Sequence, residues 1–420
     1  MCERRSMTSL KEKQLFWKGA IHVLFFYVVS DVLNYLFQAA LTHMTAIEEL
    51  EFYRCIHVWI GNALTFFVPL SILICREVAG NRDRPEKYAG ICIRGFQIFM
   101  VLTILICVSG IFLYPYISDK LKWGGVSLWI IVLLIIGVAG LYTILHGILQ
   151  GLCRFCLYGL AECSLIFTQV ALSFFCVKLG MGYRGIILAT FLGYLVINGI
   201  LLNYLKRDGM IEKNAKKEET KIWDSIKLYG MVFVVSVLCS FYLNRGGGIF
   251  LNTLFDKGLV REYEAVFSMG KPGLSVLSAA SVVLLPTIVW GKKEGRNIKF
   301  IFLEVMAVGL TFSMVYGWFL YAFGEKMGFL IYGKQWEHIG RYMNAVIIFI
   351  VPLGVLSIIQ NYFVGIGKIE RYMCMLGIAT AGVMCIVSFV IKDMVYVPVI
   401  WGIALYVVII RSLLYVCSNG

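Results

Sequence analysis

The sequence predicts an all-α integral membrane protein of about twelve transmembrane helices, in two parallel six-helix lobes around a central cavity. Three observations predict it. The 420 residues are 60% hydrophobic and only 15% charged, too few charges to clothe a soluble surface of this size. The apolar residues fall in repeated runs of about 20 or more, enough to cross roughly 30 Å of hydrocarbon as helix. One long hydrophilic stretch, residues 206–227, stands mid-chain with six apolar runs on either side. The alternating ten-residue pattern of β-barrel strands is not found in the sequence.

The elements follow in order. Arg4, Arg5, Lys11, Lys13 and Lys18 precede an apolar stretch running to about Ile47. That stretch is too long for a signal-peptide core and no small-residue cleavage site follows it, so it reads as a retained first helix. The first lobe, residues 1–205, is expected to hold helices at 19–46, 53–75, 90–115, 125–149, 155–178 and 184–205. A basic linker at 206–227 carries Lys213, Lys216 and Lys217. The second lobe, residues 228–420, is expected to hold helices at 228–254, 262–290, 299–323, 341–366, 371–391 and 394–415.

Charge sets the orientation. With the N-terminus inside, 23 of the 38 Lys and Arg fall in cytoplasmic segments and 11 in outer loops, which favours a cytoplasmic N-terminus. The net charge of +13 therefore reads as topology and contact with anionic membrane lipids. Nucleic-acid binding would need a soluble basic domain, which the chain lacks. Thirteen cysteines lie scattered, mostly within apolar runs, and read as free thiols. Cys153 and Cys156 form one C-x-x-C, without the second pair or histidines that a zinc site wants.

The halves show weak self-similarity. A shift of 210 pairs Leu33 with Leu243, Asn34 with Asn244, Tyr53 with Tyr263 and Ser71 with Ser281. A shift of 214 pairs Gly151, Arg154 and Tyr158 with Gly365, Lys368 and Tyr372. Each half has an even number of spans, so the repeat would be parallel, as in many transporters.

Charged and polar groups within the spans are the candidate site, because burying them in hydrocarbon is costly. Arg245 lies about 6 Å outward of the middle of the seventh span at ~1.5 Å per residue, and Lys271 at a similar depth on the eighth. Together they could hold a pyrophosphate, Arg through its planar fork and Lys as a point charge; singly, each could snorkel or pair with a carboxylate. Asp31, Asn34 and Gln38 share one face of the first helix at i, i+3, i+7. Asp31 is a candidate counter-charge or coupling group, as are Glu162 and Glu304. Asn34, Gln38 and Asn361 are candidate substrate contacts. His146, Gln150 and Gln360 read mostly as interfacial or gate groups, and His22 and His57 as structural histidines.

The stretch Asn34-Tyr-Leu-Phe-Gln-Ala-Ala-Leu-Thr, the acidic loop Thr45-Ala-Ile-Glu-Glu-Leu-Glu-Phe-Tyr53 and the helix ending Leu73-Ile-Cys-Arg-Glu77 open the chain. Tyr263-Glu-Ala-Val-Phe-Ser-Met-Gly-Lys-Pro-Gly273, Leu284-Leu-Pro286, Leu330-Ile-Tyr-Gly-Lys-Gln-Trp336 and Gly365-Ile-Gly-Lys368 follow in the second half. This pattern resembles the polysaccharide-export flippase family (O-antigen or capsule type) of the multidrug/oligosaccharidyl-lipid/polysaccharide (MOP) superfamily. One departure is Asn244-Arg245-Gly-Gly-Gly248, where relatives often carry an acid. The resemblance implies a bacterial inner-membrane flippase that moves undecaprenyl-pyrophosphate-linked oligosaccharide by alternating access. It also implies polysaccharide polymerase and export machinery as partners. No Walker-type loop, H-E-x-x-H motif or triad is present, so the chain reads as a non-enzyme with no cofactor. Energy would come from an H+ or Na+ gradient, membrane potential or downstream consumption. Two other readings stay open: a cation-coupled multidrug exporter of the same superfamily, favoured by an acidic aromatic cavity, and a membrane-embedded glycan-modifying enzyme.

Overall fold

A computed structural model describes residues 2–44, 47–121, 125–208, 222–243, 251, 254–332 and 340–419. Thirteen helices are described: α1 (Cys2–Met44), α2 (Ile47–Leu64), α3 (Val68–Gly80), α4 (Pro85–Leu121), α5 (Val126–Gly151), α6 (Phe155–Lys178), α7 (Gly182–Arg207), α8 (Ile222–Leu243), α9 (Lys257–Lys293), α10 (Ile298–Tyr332), α11 (Gly340–Ile366), α12 (Ile369–Phe389) and α13 (Tyr396–Asn419). No strand occurs among the described residues. Among the described residues, ten helices are long and apolar enough to cross a membrane. The other two expected spans, 53–75 and 228–254, correspond to α2 with α3, and to α8, which is apolar over Lys227–Cys239; residues 244–250 of the second lie outside the described residues.

The expected second helix, 53–75, is not continuous. It breaks at Thr65–Phe67, where backbone bonds shorten to Thr65 N–H to Asn62 O, Phe66 N–H to Ala63 O and Phe67 N–H to Leu64 O. Pro69 explains the break. It has no N–H to donate back to Thr65 and its ring would collide with that carbonyl, so it sits in the first turn of a new helix. Pro272 and Pro286 in α9 and Pro115 in α4, by contrast, lie inside long helices.

The chain divides into two compact units, residues 1–225 and 226–420, a boundary inside the 206–227 linker. In unit 1, α5 is the central helix, packed against α2, α3, α4, α6 and α7. Its sequence is apolar on all sides, as a helix surrounded by protein requires. α4 is nearly as apolar over its span, but only 11% of that span is buried, so it lies at the edge of unit 1, against α3 and α5. In unit 2, α11 takes the central place, 78% buried and packed against α9, α10, α12 and α13. Lipid is as apolar as leucine, so helices in it associate by close packing of small residues. Gly147 of α5 shows this: a Cβ there would lie 2.5 Å from the backbone oxygen of Ser71 on α3.

The weak sequence repeat is a structural one at the ends of the two central helices. α5 stops in a turn where Cys153 N–H bonds Gln150 O and Arg154 N–H bonds Leu149 O. α11 stops with Gly367 N–H on Val364 O and Lys368 N–H on Phe363 O, the same four positions shifted by 214. This is the Schellman pattern, which needs one residue with positive φ. Gly367 supplies it at +75° without cost, and Cys153 supplies it at +57° with strain.

Candidate functional site

Three helices of unit 1 each present a pair of residues spaced i, i+4, and hence on one face. The pairs are Tyr27 and Asp31 on α1, Tyr142 and His146 on α5, and Tyr158 and Glu162 on α6. α6 packs against both α1 and α5, so the three faces meet. The Tyr142 hydroxyl donates to Glu162 Oε2 at 2.8 Å. His146 Nδ1 lies 3.9 Å from the same oxygen, and among the described residues His146 is the only basic side chain at ion-pair distance from Glu162. The His146 ring sits between the rings of Tyr142 and Tyr158, with centroids 4.1 and 4.3 Å away. The hydroxyls of Tyr27 and Tyr158 share a hydrogen bond of 3.1 Å. Tyr194 of α7 closes the group with its ring 5.5 Å from Tyr142, and Gln169 bonds Tyr194. Asp31 is half-buried and within electrostatic reach of Glu162 and Tyr27.

The cluster is polar but not sealed. His146 is buried, with its Nε2 lacking a hydrogen-bond partner, while 30% of the Glu162 side chain is exposed. A carboxylate held by a phenol donor beside an imidazole, in a low-dielectric setting, can take up and release a proton or a monovalent cation. No group of three His, Cys, Asp or Glu side chains among the described residues could hold a metal ion.

Unit 2 carries the same frame without the acid. Shifting by 214 places Gln360 at His146, Leu356 at Tyr142, Tyr372 at Tyr158 and Leu376 at Glu162. Gln360 Nε2 donates to Ser236 Oγ at 3.2 Å, and the Tyr372 hydroxyl donates to Leu356 O at 3.2 Å. Asn361 takes the place of Gly147, and its amide nitrogen donates to Ser281 O at 2.9 Å and Oγ at 2.7 Å. The described ionisable cluster thus belongs to unit 1.

The structure brings together Asp31 and Glu162 of the expected residues, and adds His146, which sequence had placed at an interface. Glu304, half-buried on α10, lies in unit 2 outside this cluster. Asn34 is exposed on α1. Gln38 and Lys271 lie within α1 and α9, but their side chains fall outside the described residues, as does Arg245 altogether. The four tyrosines were missed. The signal that finds three of them, Tyr27, Tyr142 and Tyr158, is the repeated i, i+4 pairing of a tyrosine with an ionisable residue inside three apolar runs; Tyr194 carries no such signal.

The helices and their order match a fold seen in solved structures. An outward-facing multidrug-resistance MATE family transporter of the MOP superfamily superposes with a TM-score of 0.82 at 15% identity, over 96% of this chain and 95% of that one. A MOP superfamily transporter from Pyrococcus furiosus, described as having a binding pocket of reversed polarity suggesting a different function, gives 0.80 at 15% identity over 96% of each chain. A MATE protein in complex with MaL6 gives 0.78 at 16% identity over 96% and 97%. At these identities the likeness establishes the fold. No protein-family model and no curated protein matches the sequence.

Proposed function

We propose that this chain is a cation-coupled membrane transporter that exports amphiphilic, positively charged organic molecules by alternating access, with Glu162 as the coupling carboxylate and the proton as its first-choice ion. One observation carries the reading. Glu162 lies within a membrane-spanning helix, hydrogen-bonded to Tyr142 and beside His146, in a unit whose repeat partner has leucine at that position. A carboxyl placed there at the cost of desolvation has a use that a leucine would not serve. The acidic, aromatic character of the cluster suits a cationic substrate, and the multidrug-resistance neighbour supports the same reading. Asp31 acts as the second acid, in electrostatic contact with the first. The membrane is a bacterial inner membrane with the N-terminus on the cytoplasmic side.

A second reading has its own support. The motifs from Asn34 to Glu77 and from Tyr263 to Lys368, with Arg245 and Lys271 as a cation pair, favour a lipid-linked oligosaccharide as cargo. The reversed-polarity neighbour supports a fold tolerant of such a change. The test uses two assays on one protein. Proteoliposomes under an imposed pH gradient are loaded with a cationic dye, and a host lacking its own glycan flippase is complemented. Gradient-driven dye movement without complementation supports export of cations. Complementation lost on Arg245→Ala with Lys271→Ala, without dye movement, moves the assignment to the flippase. Neither activity in folded protein overturns both.

A further inference from the structure

We propose that α9 carries a gating hinge at Met269–Gly273, clamped by the Tyr316 hydroxyl, and that the α2–α3 break is its counterpart in unit 1, the two helices bending at these points as the transporter alternates. This gating role presupposes a transporter, of either cargo. Three residues build the clamp. Pro272 has no N–H, so α9 loses one step of its backbone ladder there. Tyr316 of α10 enters at the next step. Its hydroxyl donates to Met269 O at 2.8 Å and accepts from Gly273 N–H. Those are the two backbone groups that an uninterrupted helix bonds to each other. Gly273 admits the ring, since a Cβ there would lie 2.4 Å from Tyr316 Cδ1. Phe312 and Phe319 flank the ring on its own helix, with centroids 6.3 and 6.1 Å away. A side chain inserted into the i→i−4 ladder is a known cause of a kink, and one that can withdraw.

The internal repeat places a second interruption at the same level. The shift of 210, which pairs Tyr53 with Tyr263 and Ser71 with Ser281, sets Asn62 at Pro272 and Ala63 at Gly273. Unit 1 interrupts its helix from that same residue: the carbonyls of Asn62, Ala63 and Leu64 accept from the N–H three residues on instead of four. The means differ. Unit 1 uses Pro69, whose counterpart is Ala279, while unit 2 uses Pro272, and Ile106 stands opposite Tyr316. Two sequences that reach one interruption through different residues point to a use for the interruption itself, because hydrocarbon penalises every backbone group left without a bond. Packing in unit 1 shows which side moves. α3 is locked to α5: Ser71 Oγ donates to Thr143 O at 2.7 Å, Phe67 and Cys75 are fully buried, and Gly147 and Gly151 bring the two helices into close contact. Before the break, a Cβ on Gly61 would meet nothing within 4 Å, and Trp59 and Phe66 are 39% and 44% exposed. α2 therefore swings while α3 stays.

Hydrogen–deuterium exchange and transport, both measured on the purified full-length chain, test the hinges. In wild type, amides at 65–68 and 273–276 should exchange about tenfold faster than those at 71–79 and 280–290, because they open locally. Pro69→Ala restores an N–H for Thr65 O. It should slow exchange at 65–68 and lower kcat about tenfold at unchanged KM, for whichever cargo wild type carries. Should Pro69→Ala fail to fold, Pro272→Ala, which restores the N–H for Ser268 O, carries the same prediction at 273–276. Tyr316→Phe keeps the ring and removes the clamp, so exchange at 273–276 should rise about tenfold, as loss of one hydrogen bond implies. Tyr321→Phe, an exposed tyrosine of the same helix, should leave exchange and kcat unchanged. Exchange as slow at 65–68 and 273–276 as along the rest of both helices would overturn the hinges. Slowed exchange with wild-type kcat in Pro69→Ala would overturn gating and make the break a packing feature. Unchanged exchange in Tyr316→Phe, or an equal rise in Tyr321→Phe, would overturn Tyr316 as the clamp. Transport of neither cargo by folded wild type would instead overturn the transporter reading, and the gating role with it.

Discussion

Glu162→Gln separates a coupling role from a structural one, because the two make opposite predictions. Gln has nearly the shape of Glu and keeps an oxygen for the Tyr142 hydroxyl, now 2.8 Å from Glu162 Oε2. If the carboxylate were ionised, that bond would fall from a charged value of about 1.5–3 kcal/mol to a neutral one of about 0.5–1.5. The His146 contact at 3.9 Å is too long to add a hydrogen bond. Against this loss stands relief from burying a charge, several kcal/mol for a fully buried ion and less here, where 30% of the side chain is exposed. The two nearly cancel, so thermal stability in detergent should hold within about 1 kcal/mol. Coupling should vanish, because an amide does not titrate. In proteoliposomes the variant should bind dye yet lose all acceleration by a pH gradient. Wild-type gradient dependence in Glu162→Gln would refute the reasoning. So would a drop of several kcal/mol in stability, which would make Glu162 a structural anchor.

Other perturbations test the frame around that site. Gly147→Ala puts a methyl 2.5 Å from Ser71 O, a backbone atom that yields only if α3 moves; it should cost about 1–3 kcal/mol and lower the melting temperature by several degrees. Asn361→Ala removes both amide bonds to Ser281 and should destabilise by about 1–3 kcal/mol while leaving substrate KM unchanged; a raised KM with full stability would instead make Asn361 a substrate contact. Cys153→Gly relieves a positive φ that its counterpart Gly367 adopts freely, so melting should rise slightly, by up to about 1 kcal/mol of stability. Burial pushes the Cys153 thiol up and the Arg82 charge opposes it. In a variant with Cys153 as its sole cysteine, alkylation should therefore keep accelerating above the ordinary thiol range, and Arg82→Gln should move that rise to still higher pH.

Membrane-spanning runs are legible in sequence because the bilayer imposes one rule on them: every backbone polar group must bond within its own helix, over a fixed length of apolar residues. The expected 155–178 coincides with α6, and 125–149 and 184–205 fall within two residues of α5 and α7. The rule is silent where a helix breaks inside an apolar stretch. Pro69 was visible, but it can sit inside a long helix, as Pro286 does in α9, or open a new one, and only packing decides. Likewise, Asp31 and Glu162 announced themselves as charges in hydrocarbon, whereas Tyr27, Tyr142, Tyr158 and Tyr194 passed as ordinary membrane aromatics. Their role depends on which faces of α1, α5, α6 and α7 meet, and that is a tertiary fact.

The repeat turns this into an argument about function. Both units use one scaffold: a buried central helix, a Schellman stop, a tyrosine four residues into the next helix, and a polar residue one turn before the stop. On that shared scaffold, unit 1 places His146 and Glu162 where unit 2 places Gln360 and Leu376. Unit 2 shows that the scaffold folds without the acid, since Gln360 and Tyr372 find neutral partners in Ser236 and Leu356. The acid in unit 1 is therefore not required by the fold. Transplanting the neutral set tests that step directly: His146→Gln with Glu162→Leu should yield a folded protein that has lost its gradient response. Failure to fold would show instead that unit 1 relies on His146 and Glu162 for structure, and would remove the main support for a coupling site.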